Sequence, residues 1–313
     1  MPKLPTEMPH TSYESGCVRG PGKPAWLRRR LPVGGACEQT RQILRQNRLC
    51  TVCEAARCPN RWECFSRRTA TFMILGNRCT RNCRFCAVPQ GPSGPPDSRE
   101  PSRVAAAARK MELQHVVVTS VTRDDLPDKG AGFFAETIRE IRRQIPRASV
   151  EVLVPDFCGS KTLLRQVLEA GPDVFNHNIE TVSGLYERVR PEADYHRSLN
   201  VLAEAAAARS DIPVKSGIML GLGESREEVG QALSDLLAGG CSMLTMGQYL
   251  QPTRRHLPVA RYIPPEMFER WRQYALDAGF TAVAAGPLVR SSYRAREMFR
   301  AWKEKSQTSA GLQ

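Results

Sequence analysis

From Thr71 onward, the hydrophobic positions of this chain fall into short continuous runs separated by longer amphipathic stretches. The runs are TFMILG from Thr71, then Val116–Thr119, Val150–Val154, Val174–Ile179, Val214–Leu220, Met243–Gly247 and Thr281–Ala285. Rich in β-branched residues and lacking a regular polar alternation, they predict strands buried on both faces, as in a parallel sheet. Between them, Pro101–Met111, Phe133–Gln144, Ser160–Ala170, Arg197–Arg209, Arg226–Ala238 and Pro265–Ala278 have the length and composition of helices. The alanine run at 105 to 108 is a good helix segment and not a low-complexity tract.

Strand and helix signals in alternation define an α/β class. Six or seven units are too few for a closed eight-unit barrel, so the chain predicts a partial (β/α)6 TIM-type barrel with N-terminal and C-terminal extensions. The barrel is expected over 67–287, flanked by extensions at 1–66 and 288–313. Residues 1 to about 48 are rich in Pro, Gly and Arg, with an ordered-looking KPAWLRRRLP stretch and a short helix from Glu38 to Asn47. Such barrels build their sites just beyond the strand ends. There the chain places Thr119 and Ser120, Asn176, His177 and Asn178, and Gly221, Leu222 and Gly223. A lone histidine is usually structural, but a polar triplet at a barrel mouth points to ligand contact. The glycines complete no dinucleotide or Walker pattern, which argues against a nucleotide-phosphate loop.

Hydrophobic residues make up 41% of the 313 positions, and no run approaches the ~18 apolar residues of a membrane span. The N-terminal MPKLPTEMPHTSYESG has neither an apolar signal core nor an Arg-rich amphipathic pattern, so a cytoplasmic, reducing location and no membrane association are expected. A net charge of +13, from 45 basic and 32 acidic residues, calls for an acidic partner. The bases are dispersed, with small clusters at Arg28–Arg30, Arg67–Arg68, Arg142–Arg143 and Arg254–Arg255, so a nucleic-acid stripe is weakly signalled.

The chemistry enters with cysteine. Six of the eleven form two triplets, Cys53, Cys58, Cys64 and then Cys79, Cys83, Cys86. The second, C-x3-C-x2-C in CTRNCRFC, supplies three thiolates and no fourth, so a cubane bound there keeps one iron open for an exchangeable ligand. Zinc sites usually add a second cysteine pair or histidines to close a tetrahedron, and no histidine lies between Cys53 and Cys86. Thiolates alone still serve either metal, which leaves a zinc-dependent nucleic-acid-binding protein as the non-catalytic alternative. Disulfides suit neither the chain length nor the odd cysteine count. Cys17, Cys37, Cys158 and Cys241 lack partner spacing and read as structural or surface thiols.

The C-x3-C-x2-C loop directly after a first barrel strand resembles the radical S-adenosylmethionine enzymes. The other triplet, C-x4-C-x5-C in CEAARCPNRWEC, narrows the resemblance to the lipoyl synthases. KPAWLR, RRTATFMILG, VTSVTRDDLPDKGA, FNHNIETV, RVRPEADYHRSLNVL, KSGIMLGLGE, GQYLQPTRRHLPV and GPLVRSSY extend it over roughly residues 23 to 300. The resemblance implies insertion of two sulfur atoms at C6 and C8 of an octanoyl chain held on a carrier lysine. It also implies two [4Fe–4S] clusters and S-adenosyl-L-methionine.

By this resemblance, Cys79, Cys83 and Cys86 would hold the radical-generating cluster, and Cys53, Cys58 and Cys64 an auxiliary cluster that donates sulfur. Ser292 in Arg290-Ser291-Ser292-Tyr293 would be the auxiliary cluster's fourth ligand, in preference to Ser291. Thr119, Ser120, Asn176, Asn178, Glu180, Gly221 and Gly223 would contact S-adenosylmethionine, the glycines by close backbone approach to its adenosine. The implied partners are octanoylated lipoyl carriers (2-oxoacid dehydrogenase E2 subunits or the glycine-cleavage H protein), an electron donor and an iron–sulfur cluster carrier, without nucleic acid. Cys50 and Thr122 depart from the family pattern, which has His and Asp there. Biotin-synthase-like sulfur insertion is the catalytic alternative, disfavoured by the Cys53 triplet and RSSY.

Overall fold

The structure is a computed structural model describing residues 2–5, 23–28 and 35–310. Cys17, Arg29–Arg30 and the end of the KPAWLRRRLP stretch lie outside the described residues. Ahead of the barrel come α1 (Ala36–Gln46), β1 (Cys50–Thr51), α2 (Val52–Ala55) and α3 (Arg61–Ser66). The barrel follows as β2 (Thr71–Ile74), α4 (Glu100–Lys110), β3 (His115–Ser120), α5 (Ala131–Gln144), β4 (Ser149–Leu153), α6 (Lys161–Glu169) and β5 (Val174–Asn176). It continues through α7 (Tyr186–Val189), α8 (Tyr195–Ala208), β6 (Val214–Leu220), α9 (Arg226–Ala238), β7 (Met243–Gln248), α10 (Pro265–Ala278), β8 (Ala282–Gly286) and α11 (Ala295–Ala310).

One sheet runs in sequence order from β1 to β8, with β1 antiparallel to β2 and every later pair parallel. Six strand–helix crossovers therefore precede a last strand, as expected for a partial barrel. The sheet is open, and the segment between β1 and β2 reaches across its seam. Asn60 donates to the Leu288 carbonyl at 2.6 Å, and Tyr293 donates to Glu63 at 3.1 Å. The segment carrying Cys53, Cys58 and Cys64 is thus held against the chain that follows β8.

Local signals explain the element boundaries. Ser160 and Asp194 accept from the amides of Leu163 and Arg197 as N-caps, which starts α8 two residues before the predicted Arg197. Ser225 and Glu228 form a reciprocal capping box on α9. β5 ends at Asn176, short of the predicted Ile179, because the chain turns across the barrel mouth with Glu180 at φ +64°. The C-terminal segment, expected only as an extension, forms the helix α11. Its Met298 and Phe299 pack on Val174, Met243 and Ala282 at the strands' N-terminal ends, closing the barrel floor. Burying each such side chain contributes about 1.5–3 kcal/mol.

The barrel interior is partly polar. Glu151 accepts from Lys215 at 2.7 Å and from Asn176 at 3.2 Å, and His115 lies 3.3 Å from its other oxygen. This cluster spans β3 to β6. Losing one partner would leave a buried charge uncompensated, a penalty of about 3–5 kcal/mol.

Candidate functional site

A cavity of about 540 Å³ opens at the C-terminal ends of the strands, and all six triplet cysteines line it. Thr119, Ser120, Asn178, Glu180, Ser291 and Ser292 line the same space. The two triplets, separate along the chain, face one chamber because the seam contacts bring the β1–β2 segment over the strand ends.

The loop after β2 is fixed from several sides. Arg81, between the first two cysteines of CTRNCRFC, is 8% exposed and donates to Asp124 at 2.6 and 3.0 Å and to Asp156 at 2.9 and 2.7 Å. Burial alone would raise the Asp156 carboxyl, but the Arg81 bonds hold it well below the usual carboxylate range. The Thr122 amide donates to the Cys79 sulfur at 3.3 Å, and His256 Nε2 lies 2.9 Å from the Cys86 carbonyl. Thr122 therefore serves the cysteine loop through its backbone.

Burial raises the thiols. Cys53 is pushed up to about 11, and Cys64 and Cys86 to about 12. Burial raises Cys83 too, opposed by the neighbouring Arg190 guanidinium. Without a metal these groups are protonated, and ligation to iron must release protons. Among the described residues, no three His, Cys, Asp or Glu side chains are grouped to hold a single ion. A cubane makes a different demand, since each cysteine ligates its own corner iron.

Polar atoms for a ligand are also present. Ser120 Oγ, His177 Nε2 and Asn178 Oδ1 are buried, line the cavity and have no hydrogen-bond partner. Glu180 lies among them, its carboxyl raised by burial against the opposing effects of Arg190 and Asn178. Buried unpaired polar atoms cost about 1–3 kcal/mol each, so their convergence fits a ligand that satisfies them. Thiols for a cluster and orphaned polar atoms for the amino-acid end of S-adenosylmethionine are therefore compatible with the site.

Three residues from the sequence reading sit elsewhere. Asn176 points into the barrel interior and bonds Glu151. The amides of Gly221, Leu222 and Gly223 wrap the Glu224 carboxylate at 2.6, 2.9 and 3.1 Å, so an internal side chain already fills that nest. None of the three residues, Asn176, Gly221 or Gly223, lines the cavity. Cys50 also lies outside it, in β1, while Cys37 and Cys241 are buried in the core and Cys158 is exposed.

Arg81, Arg190 and Arg290 line the cavity without having been singled out from sequence. Arg190 donates to the Asn178 and Ile179 carbonyls at 3.0 and 3.2 Å and stacks over Tyr186. Burial lowers Arg290, while its neighbours Cys58 and Glu180 favour its charge. All three belong to recognisable runs, CTRNC, RVRPEAD and GPLVRSSY, so the signal was the runs themselves.

Fold and chamber define an enzyme class, and the chain belongs to the Radical SAM superfamily, whose sequence profile matches residues 73–236. Within that class it belongs to the lipoyl synthase family. The lipoyl synthase of Caldanaerobacter subterraneus subsp. tengcongensis is 55% identical over 87% of this chain and 95% of its own length. That of Oleidesulfovibrio alaskensis is 53% identical over 87% and 93%. Among solved structures, the [FeFe]-hydrogenase maturase HydG matches with a TM-score of 0.53 at 14% identity, over 86% of this chain and 74% of its own. Methylornithine synthase matches at 0.50 and 17%, over 72% and 67%. These last two show the fold alone. The superfamily implies a [4Fe–4S] cluster and S-adenosylmethionine. Among the described residues, no helix is long and apolar enough to cross a membrane.

Proposed function

We propose that the protein has lipoyl synthase activity, inserting two sulfur atoms at C6 and C8 of an octanoyl chain carried on a protein lysine. The observation that carries the details is the single chamber lined by both cysteine triplets and by Ser291 and Ser292. Cys79, Cys83 and Cys86 would hold the radical-generating cluster, leaving one iron for S-adenosylmethionine. Cys53, Cys58, Cys64 and Ser292 would hold a second, sulfur-donating cluster.

Unactivated C–H bonds offer no acidity and no leaving group, so the bound cluster and S-adenosylmethionine would supply radical chemistry that side chains cannot. The protein's own residues have the remaining tasks. Arg81 anchors the cysteine loop to the ends of β3 and β4 through Asp124 and Asp156. Ser120, His177 and Asn178 present the unpaired atoms that would orient the cofactor's polar end, with Thr119 beside them. Met73, Phe85, Val154, Ile218 and Met219 give the chamber an apolar wall for an alkyl chain and exclude water from it.

The carriers in this reading are lipoyl domains of 2-oxoacid dehydrogenase E2 subunits or the glycine-cleavage H protein, served by an electron donor and a cluster carrier. The test is anaerobic reconstitution with iron and sulfide, then incubation with a reductant, S-adenosylmethionine and an octanoyl-lysine peptide. Mass spectrometry should find both sulfurs on the peptide. Cofactor cleavage without sulfur on the peptide would reject the donor assignment.

A further inference from the structure

On the outside of the barrel, several arginines face acids. Arg143 lies 2.9 Å from Glu140, Arg272 2.6 Å from Glu269, Arg209 2.7 Å from Asp211 and Arg103 2.7 Å from Asp97. Among the described residues, Arg109, Arg147, Arg165 and Arg300 are exposed without such a partner, and at the chamber rim three further unpaired arginines come together. Arg84, Arg254 and Arg255 are exposed, and among the described residues their guanidinium groups have neither an ion pair nor a hydrogen bond.

These three belong to one braced frame. Arg84 sits between Cys83 and Phe85, both in the chamber wall, while Arg254 and Arg255 follow Gln251 and Pro252, also in the wall. The turn that carries the pair is pinned internally, with Thr253 Oγ1 2.8 Å from His256 Nδ1 and Gln251 donating to the His256 carbonyl at 2.8 Å. It is pinned to the cysteine loop as well. His256 Nε2 lies 2.9 Å from the Cys86 carbonyl, and the Leu257 amide donates to the Arg84 carbonyl at 3.1 Å. The backbone under all three charges is therefore already ordered, so little further ordering is needed for a partner to meet them.

We propose that this rim is the docking surface for an acidic face of the carrier protein, around the lysine that delivers the octanoyl chain. The inference rests on the functional reading above. A chain tethered to a folded carrier can reach the chamber only if the carrier's surface sits on the rim, and uncompensated positive charge there selects a negative surface. Charges so placed act chiefly on the rate of encounter and are weakened by salt.

The test compares the wild type with R254E/R255E on two substrates, an octanoylated acidic carrier domain and a short octanoyl-lysine peptide. For the carrier, KM should rise on the order of tenfold at low salt in the variant. Added salt should bring the wild type toward the variant, and a carrier with its acidic residues changed to lysine should recover with the variant. Peptide turnover is the control for folding and cluster content, and should be equal. An unchanged carrier KM, or an equal loss with the peptide, would overturn the docking role. Direct binding of the carrier without turnover decides the question independently, and so does competition by duplex DNA, which would overturn it if DNA bound the rim as tightly as the carrier. If the wild type modifies neither substrate, the functional reading fails, while the binding comparison still judges the rim.

Discussion

The Asn178 amide donates to the Ser291 hydroxyl across 2.6 Å, joining the polar turn after β5 to the loop after β8, 113 residues later in the chain. The same amide reaches Glu180 at 3.0 Å. Ser291 thus already has a partner within the protein, whereas among the described residues the Ser292 hydroxyl has none and also faces the chamber.

That difference separates two adjacent serines. Ser292→Ala should leave S-adenosylmethionine cleavage intact and lower sulfur insertion sharply, since an oxygen ligand to iron would be lost. Ser291→Ala should instead loosen Asn178, at a cost of about 1 kcal/mol for the lost hydrogen bond, and should retain product formation. Product formation that is abolished by Ser291→Ala and normal in Ser292→Ala would reverse the assignment.

The two triplets should separate by chemistry. Reconstituted protein should hold about eight irons and eight sulfides, four per cubane. Replacing Cys79, Cys83 and Cys86 with alanine should remove half of the iron and abolish cofactor cleavage. Replacing Cys53, Cys58 and Cys64 should also halve the iron, but cofactor cleavage should continue without lipoyl product. Iron analysis and chromatography of the cleaved nucleoside check both, and sulfur insertion by the second variant would refute a donor cluster at that triplet.

Much of this arrangement was legible in the sequence. Predominantly apolar runs located all seven parallel strands because these strands are buried on both faces, even where Glu151, Asn176 and Lys215 interrupt the runs to form the buried polar cluster. The helix α11 is weakly marked because a polar tail dilutes its short apolar face, although Met298, Phe299 and Trp302 repeat at helical spacing. Asn176 and Asn178 read alike in sequence, yet the chain leaves the ladder between them, and only Asn178 reaches the chamber. Nothing in the glycines revealed that Glu224 would take their amides, since the carboxylate that fills a nest is set by the loop's closure. Arg81 was hidden by its neighbours. Its partners Asp124 and Asp156 lie 43 and 75 residues away, a pairing that only the fold brings about.

Arg81 can therefore be tested as a positioning residue. Arg81→Ala leaves two carboxylates facing each other, one of them buried, and should destabilise the protein by about 3–5 kcal/mol. Arg81→Lys keeps the charge without the planar fork and should fold, but it cannot hold both acids in the same geometry. Its cluster should show an altered electron paramagnetic resonance signal on adding S-adenosylmethionine, with KM for the cofactor raised. A spectrum and KM identical to the wild type would reduce Arg81 to a stabilising role.

His177 provides a prediction about pH. Its Nδ1 lies 2.8 Å from the Val154 carbonyl, which can only accept, so Nδ1 carries the proton and Nε2 is a bare acceptor in the chamber wall. Burial first, and then the Arg190 charge, lower its pKa from 6.5 to about 4. Below pH 6.5 the unfolded chain takes up a proton that the folded protein refuses. The contribution to stability is therefore complete above pH 6.5 and is lost as the pH falls toward 4, amounting to about 3 kcal/mol over that window. Denaturant titrations at pH 7 and pH 4.5 should show this loss in the wild type. His177→Gln cannot be protonated, so its stability should fall less over the same interval even if it starts lower. Parallel curves for the two proteins would mean that the imidazole does not stay neutral in the folded state, and that the acceptor assigned to Nε2 is absent.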